Sequence, residues 1–128
     1  MGIPDPEASR RHLEGWKGRI DRLAADTQEM SSRFGELKAV GADPEGLVRV
    51  TVDSSGNMVD VQLSERTRRI DTEYTGQAIL AAVAAARVQM AEASAAIISE
   101  TMGTDSAAGQ AIANRVRSQL MPKPDEEA

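Results

Sequence analysis

The chain has no cysteine. Disulfides, thiolate metal sites and cysteine nucleophiles are therefore excluded, and the composition suits a reducing compartment. Aromatics are nearly absent: Trp16, Phe34 and Tyr74 are the only three. A protein that grips single-stranded nucleic acid by stacking bases needs more. His12 is the single histidine, and nothing around it marks it as a base or a ligand. No glycine-rich phosphate loop is present. Asp53 and Asp60 flank a turn, as solvated acids at strand ends do. These absences point away from an enzyme, a metal site and a cofactor. There is also no long apolar run bounded as a membrane span and no leader pattern at the N-terminus, so a cytoplasmic protein without a membrane partner is expected. Met1-Gly2 opens like a myristoylation site, but Pro6 stands where serine or threonine is required. The net charge is −5 over 128 residues, a length that suits one domain. The acids concentrate at the two ends (Asp5 and Glu7; Asp125, Glu126 and Glu127), and the body between them is nearly neutral. A dominant basic face is missing at the level of the whole chain.

What is present is a hairpin pattern flanked by long helical ones. Val48, Val50 and Val52 alternate with Arg49 and Thr51; Val59, Val61 and Leu63 alternate with Asp60 and Gln62. Period-two alternation places each apolar set on one face of a strand. Ser54-Ser55-Gly56-Asn57 supplies the turn, with Gly56 and Asn57 tolerating positive φ. A lone hairpin is marginal in water. Its six apolar residues are therefore expected in the core of a small antiparallel sheet or in a dimer interface. A further edge strand over 39–42 would make two strands into three.

Before the hairpin, residues 8–40 read as helix. Leu13, Trp16, Ile20, Leu23, Thr27, Met30, Phe34 and Leu37 step by three and four in alternation, a coiled-coil seam broken only by Thr27. At ~1.5 Å per residue this helix is about 50 Å long, too long for a small hairpin to cover. A second long helix, from this chain or from another copy, is expected on the seam. Gly15, Gly18 and Gly35 mark either a close helix approach or a frayed first turn. Gly41 is expected to stop the helix, with a turn at Asp43-Pro44. Trp16-Lys17-Gly18 matches the W-x-G triplet of small two-helix type VII secretion proteins. There it lies in an interhelical turn, whereas Trp16 here fills a seam position.

After the hairpin a connector carries Arg66, Arg68 and Arg69. A second long helix runs from Thr72 to Met102, capped by Asp71 or Thr72, with Ile79, Val83, Ala86, Met90, Ala93 and Ile97 as its main stripe. Ten of the nineteen residues from Ala78 to Ala96 are alanine, which favours helix and close packing. This helix is expected across the whole valine face. Ile112, Val116 and Leu120 give a short third helix starting near Ser106. The domain reading is a disordered 1–7, an α-β-α unit over 8–103, an amphipathic helix over 104–121 and an acidic tail over 122–128. The fold class is α+β: long helix, two or three antiparallel strands, long Ala-rich helix, short helix.

Gly46-Leu47-Val48-Arg49-Val50-Thr51-Val52, Met58-Val59-Asp60-Val61-Gln62-Leu63 and Ala81–Ala86 resemble the YbaB/EbfC family of nucleoid-associated proteins, over roughly residues 20–100. Where that family often has Asn followed by Asn or an acid, this chain has Ala84 and Ala85, as in a divergent actinobacterial-type branch. The resemblance implies a tweezer-shaped homodimer, joined through its sheets, that binds double-stranded DNA with low sequence preference in the nucleoid. The candidate phosphate contacts are Arg66, Arg68 and Arg69, with Arg10, Arg11, Lys17, Arg19 and Arg22 on the first helix. The competing reading of these cations is as solvated partners of Glu14, Asp21, Glu65 and Asp71. The competing function is a non-catalytic interaction module, an adaptor or chaperone for a secretion-system protein, that uses the helix seam or the third helix.

Overall fold

The computed structural model describes residues 5–121. Its elements are α1 (Pro6–Glu36), β1 (Lys38–Ala42), β2 (Val48–Asp53), β3 (Met58–Leu63), a 3-10 turn η1 (Glu65–Arg69), α2 (Thr72–Met102) and α3 (Ala107–Leu120). The fold is α+β, as its alternation of patterns implies. The expected tail over 122–128 and the first four residues of the expected lead-in lie outside the described residues. The rest of that lead-in is helix: Pro6 stands in the first turn and the Asp5 side chain accepts from the Glu7 N–H, so α1 starts before Ala8.

β1, β2 and β3 form one antiparallel sheet in that order. Ala39 and Gly41 of β1 share a face with Val52 and Val50 of β2 through the register Ala39–Val52 and Gly41–Val50. The expected helix stop at Gly41 is thus a strand position, and α1 ends at Glu36 with Leu37 already extended. Two loops hold the strands. Between β1 and β2 the buried Asp43 carboxylate accepts from the Val48 N–H at 2.7 Å and the Glu45 N–H at 3.2 Å, while Gly46 takes φ +71°. Between β2 and β3 the Asp53 carboxylate accepts from Ser55 and Asn57, and Gly56 takes φ +84°. Asn57 keeps a negative φ, since one left-handed residue suffices to reverse this four-residue turn.

α2 lies over β1 and β2. Its inward line is Ala78, Ala82, Ala86 and Met90: the expected stripe holds at Ala86 and Met90 and is one residue off at Ile79 and Val83, which flank the line half-buried. Small residues face the sheet because the two backbones nearly touch. A Cβ built on Gly41 would stand 2.6 Å from the Ala85 carbonyl carbon and 2.7 Å from the Ala86 Cα. By length and mean hydropathy (1.3) α2 alone would pass for a membrane span, which corrects the expectation that no such run exists. Here it is the core helix, bounded by β1, β2, α1 and α3.

The expectation that α2 covers the whole valine face is also corrected. Val48, Val50 and Val52 are buried, whereas all six residues of β3 are exposed. Val61 and Leu63 stand beside Val50 and Val48 on the same face, and Met58 beside Val52 across a bulge that sets Val59 out of register. A helix about 10–12 Å wide covers two strands spaced ~4.8 Å apart, and the third lies beyond its reach.

A second cluster joins the helices. Met30 of α1 packs with Ile97 and Ile98 of α2, with Phe34, Leu37, Met102, Ile112 and Val116 around them. α1 runs antiparallel to α2: Thr27 Oγ1 lies 4.0 Å from Met102 Sδ, and Arg33 pairs with Glu100 at 2.6 Å. α3, capped by the Ser106 hydroxyl, folds back along α2 until Leu120 is buried over Gly56 and beside Arg87. Gly18 and Gly35 have nothing within 4 Å of a built Cβ and Gly15 only the Arg19 side chain, so they mark no close helix approach within the chain.

Two substitutions test this packing. Gly41→Ala is expected to lower the unfolding free energy by about 3 kcal/mol or to prevent folding, since backbone on both sides resists the added methyl. The Ser94 hydroxyl is buried without a hydrogen-bond partner among the described residues; Ser94→Ala is expected to raise stability by about 1 kcal/mol. Urea midpoints of the two variants check both signs.

Candidate nucleic-acid interface

The three connector arginines are held by a local hydrogen-bond scheme. The Ser64 hydroxyl accepts from the Arg66 N–H at 3.2 Å, and the Thr67 hydroxyl donates to the Ser64 carbonyl at 2.7 Å. Ile70, half-buried against the valine core, anchors the far end of η1. The turn therefore presents Arg66, Arg68 and Arg69 from a fixed base, around an open hollow that they line with Glu65 and Ile70.

The three are not equivalent. Arg66 Nη2 donates to the Glu45 carbonyl oxygen at 2.8 Å, which ties η1 to the β1–β2 loop and leaves the positive charge uncompensated. Arg68 Nε lies 3.3 Å from Glu65 Oε2, with both side chains almost fully exposed. Such a pair contributes little and exchanges readily for another anion. Arg69 has no ion-pair partner among the described residues. Of the acids that the cations were expected to neutralise, Glu65 alone does so; Glu14, Asp21 and Asp71 form no ion pair among the described residues.

Arg10, Arg11, Lys17, Arg19 and Arg22 are all exposed on the first part of α1. They are not brought to η1. The turn adjoins the N-terminal end of α2, while this part of α1 projects past its C-terminal end at Met102. The two sets are thus separated by the length of a 31-residue helix, about 46 Å at ~1.5 Å per residue. Within one chain they form two cationic patches, and neither is an enclosed site. His12 lies on the same exposed stretch.

Two features of this surface were not evident in the sequence. Arg87 Nε donates to the Gly56 carbonyl at 3.0 Å, locking α2 to the β2–β3 turn. Tyr74, exposed at the start of α2, donates its hydroxyl to Glu45 Oε1 at 2.6 Å. Glu45 thereby meets Tyr74 through its side chain and Arg66 through its backbone. That hydrogen bond, and secondarily the negative charge of Glu45, raise the Tyr74 pKa above its ordinary 10.0. Proximity across 29 residues of sequence carries no periodic signal, so neither contact was legible beforehand.

A model of the YbaB/EbfC DNA-binding family matches residues 11–105, well over half of the chain. The match runs from the exposed part of α1 to the end of α2 and leaves α3 outside it. No curated protein matches the chain.

Glu45→Gln is expected to lower the Tyr74 pKa toward 10.0, because the carboxylate that holds the phenolic proton is gone. Tyr74 is the only tyrosine, so an absorbance titration of phenolate reads it directly. A curve that ignores the substitution would show that the Glu45 contact does not persist in solution.

Proposed function

The chain belongs to the YbaB/EbfC DNA-binding family, whose members are nucleoid-associated and not enzymes, and from this premise we propose that it acts as a homodimer gripping duplex DNA by its phosphates, with little reading of sequence. The observation that carries this reading is the arginine turn: three guanidiniums on a fixed exposed scaffold, of which one has a weak carboxylate partner and two have none among the described residues. Phosphate oxygens complete such donors. Only three aromatics accompany them, too few for recognition by base stacking, which favours backbone contacts. A cytoplasmic, nucleoid-bound location accords with the family.

The pairing is supported by β3. Met58, Val59, Val61 and Leu63 are 43–54 % exposed, and the outer edge of the strand has no neighbouring strand among the described residues. An open edge beside apolar side chains is an aggregation hazard that a monomer must blunt. A second copy laid on the sheet covers both. The two η1 turns are then duplicated about the two-fold axis, and each phosphate contact counts twice.

A gel-shift titration with nonspecific duplex tests the reading. Affinity is expected to fall steeply as salt rises. If Arg69 contacts a phosphate in both copies, Arg69→Ala lowers the slope of log K against log salt by about 1.8. Arg66→Ala/Arg68→Ala/Arg69→Ala is expected to abolish the shift at moderate salt. Absence of any shift at low salt with micromolar protein would remove DNA from the account. Separately, Val61→Asp is expected to convert a sedimenting dimer to monomer; a wild-type chain that sediments as monomer at micromolar concentration would remove the pairing.

A further inference from the structure

The seam of α1 has a covered half and a free half, and the covered half shows what kind of surface the seam accepts. Met30, Phe34 and Leu37 lie against Ile97, Ile98 and Met102 of the antiparallel α2. The contact is flanked by charge: Arg33, the residue just before Phe34 of the seam, meets Glu100 at 2.6 Å. Met102 closes this half at the level of Thr27.

Beyond Thr27 the seam continues with none of the described residues covering it. Every residue from Asp5 to Ala25 is exposed. Leu13, Trp16, Ile20 and Leu23 keep the three–four alternation and remain 44–59 % exposed. Their shoulders repeat the covered half. Arg19 immediately precedes Ile20, in the heptad position that Arg33 occupies two repeats later. Lys17 follows Trp16 on the opposite shoulder, with Arg10 one repeat earlier. The acids Glu7, Glu14 and Asp21 recur seven residues apart on a different line, turned about 130° from the stripe at ~100° per residue. Asp26 stands in the same heptad position as Arg19 and Arg33 and is the one helix acid on a shoulder of the free seam; with Arg10, Lys17 and Arg19 beside it, the ground along the seam is net cationic.

We propose that this free half of α1 seats an antiparallel helix of another protein, with a narrow apolar stripe and acidic shoulders, continuing the line that α2 and Glu100 begin. The occupant follows from continuity with the α1–α2 contact and from charge. A second copy of the arm offers no acidic partner: parallel pairing sets Arg19 against Ala24 and Lys17 against His12. Antiparallel pairing is confined to the free half by Met102, and there it brings Lys17 to Lys17 and Arg19 to Arg19. A lipid surface takes a broader apolar face than a two-position seam. This inference does not rest on the DNA reading, because the arm lies at the other end of α2 from the arginine turn.

Trp16 is the only tryptophan and sits in the middle of the seam, so its emission reports the occupant. The full chain is titrated with a synthetic amphipathic peptide of about three heptads, with leucine at the seam and glutamate on both shoulders, and with a twin carrying lysine on the shoulders. The glutamate peptide is expected to give a saturable blue shift. Binding is expected to be roughly tenfold or more weaker for the lysine twin and for Lys17→Glu/Arg19→Glu, a variant whose far-UV dichroism stays native because both side chains are exposed. Arg66→Ala/Arg69→Ala is expected to bind the peptide as well as wild type. Equal affinity for the two peptides, or no shift with either, overturns the proposal. So does a Trp16 already blue-shifted and shielded from quencher in the peptide-free protein, which assigns the seam to a second copy. A shift with vesicles of anionic phosphatidylglycerol and none with peptide assigns it to lipid.

Discussion

The contact between Gly41 and the Ala85–Ala86 backbone determines where everything else lies. With no side chain on β1 at that point and only methyls on α2, strand and helix come closer than any larger pair permits. The small-residue line Ala78, Ala82, Ala86 extends that approach along two strands. The gain is a core built with almost no aromatic volume, in which Val48, Val50, Val52 and Met90 are sealed almost completely. The cost is reach. A helix drawn so tightly onto β1 and β2 leaves β3 bare. The apolar surface on that strand follows from the same packing that makes the core.

Much of the architecture was readable from period alone. The alternation at 48–52 and 59–63 placed two strands to within a residue, and Asp71, Ser106 and Gly103 marked helix ends through their capping chemistry. The errors came where periodicity is silent. Period-two alternation says which side chains share a face; it does not say how wide the cover is, so it left β3 open between sheet core and dimer interface. The α2 stripe was legible at Ala86, Met90 and Ile97 but read one residue late at Ile79 and Val83, because a glycine on the opposing strand selects the smaller Ala78 and Ala82. The α1 seam read as one continuous surface, whereas the end of α2 at Met102 divides it in two. The connector arginines were located, but their inequality depends on Glu45, which meets Arg66 and Tyr74 only through folding.

The charge distribution looked unpromising as a sum and becomes specific as a pattern. A chain of net charge −5 carries two separate cationic patches, set at opposite ends of α2. A rigid helix between them prevents either from screening or reinforcing the other within one copy, since ~46 Å is several Debye lengths at physiological salt. Each patch therefore acts locally, on whatever anionic surface lies against it.

The lid of the hairpin turn is made by the last residue of α3. Leu120 rests over Gly56, sixty-four positions after it. During synthesis at ~5–20 residues per second, the turn leaves the ribosome and waits on the order of several seconds before the residue that seals it exists. Arg87 itself follows the turn by 31 positions, so for about the first half of that interval the turn has no tie to α2 at all. The order of manufacture thus leaves this turn formed well before it is protected.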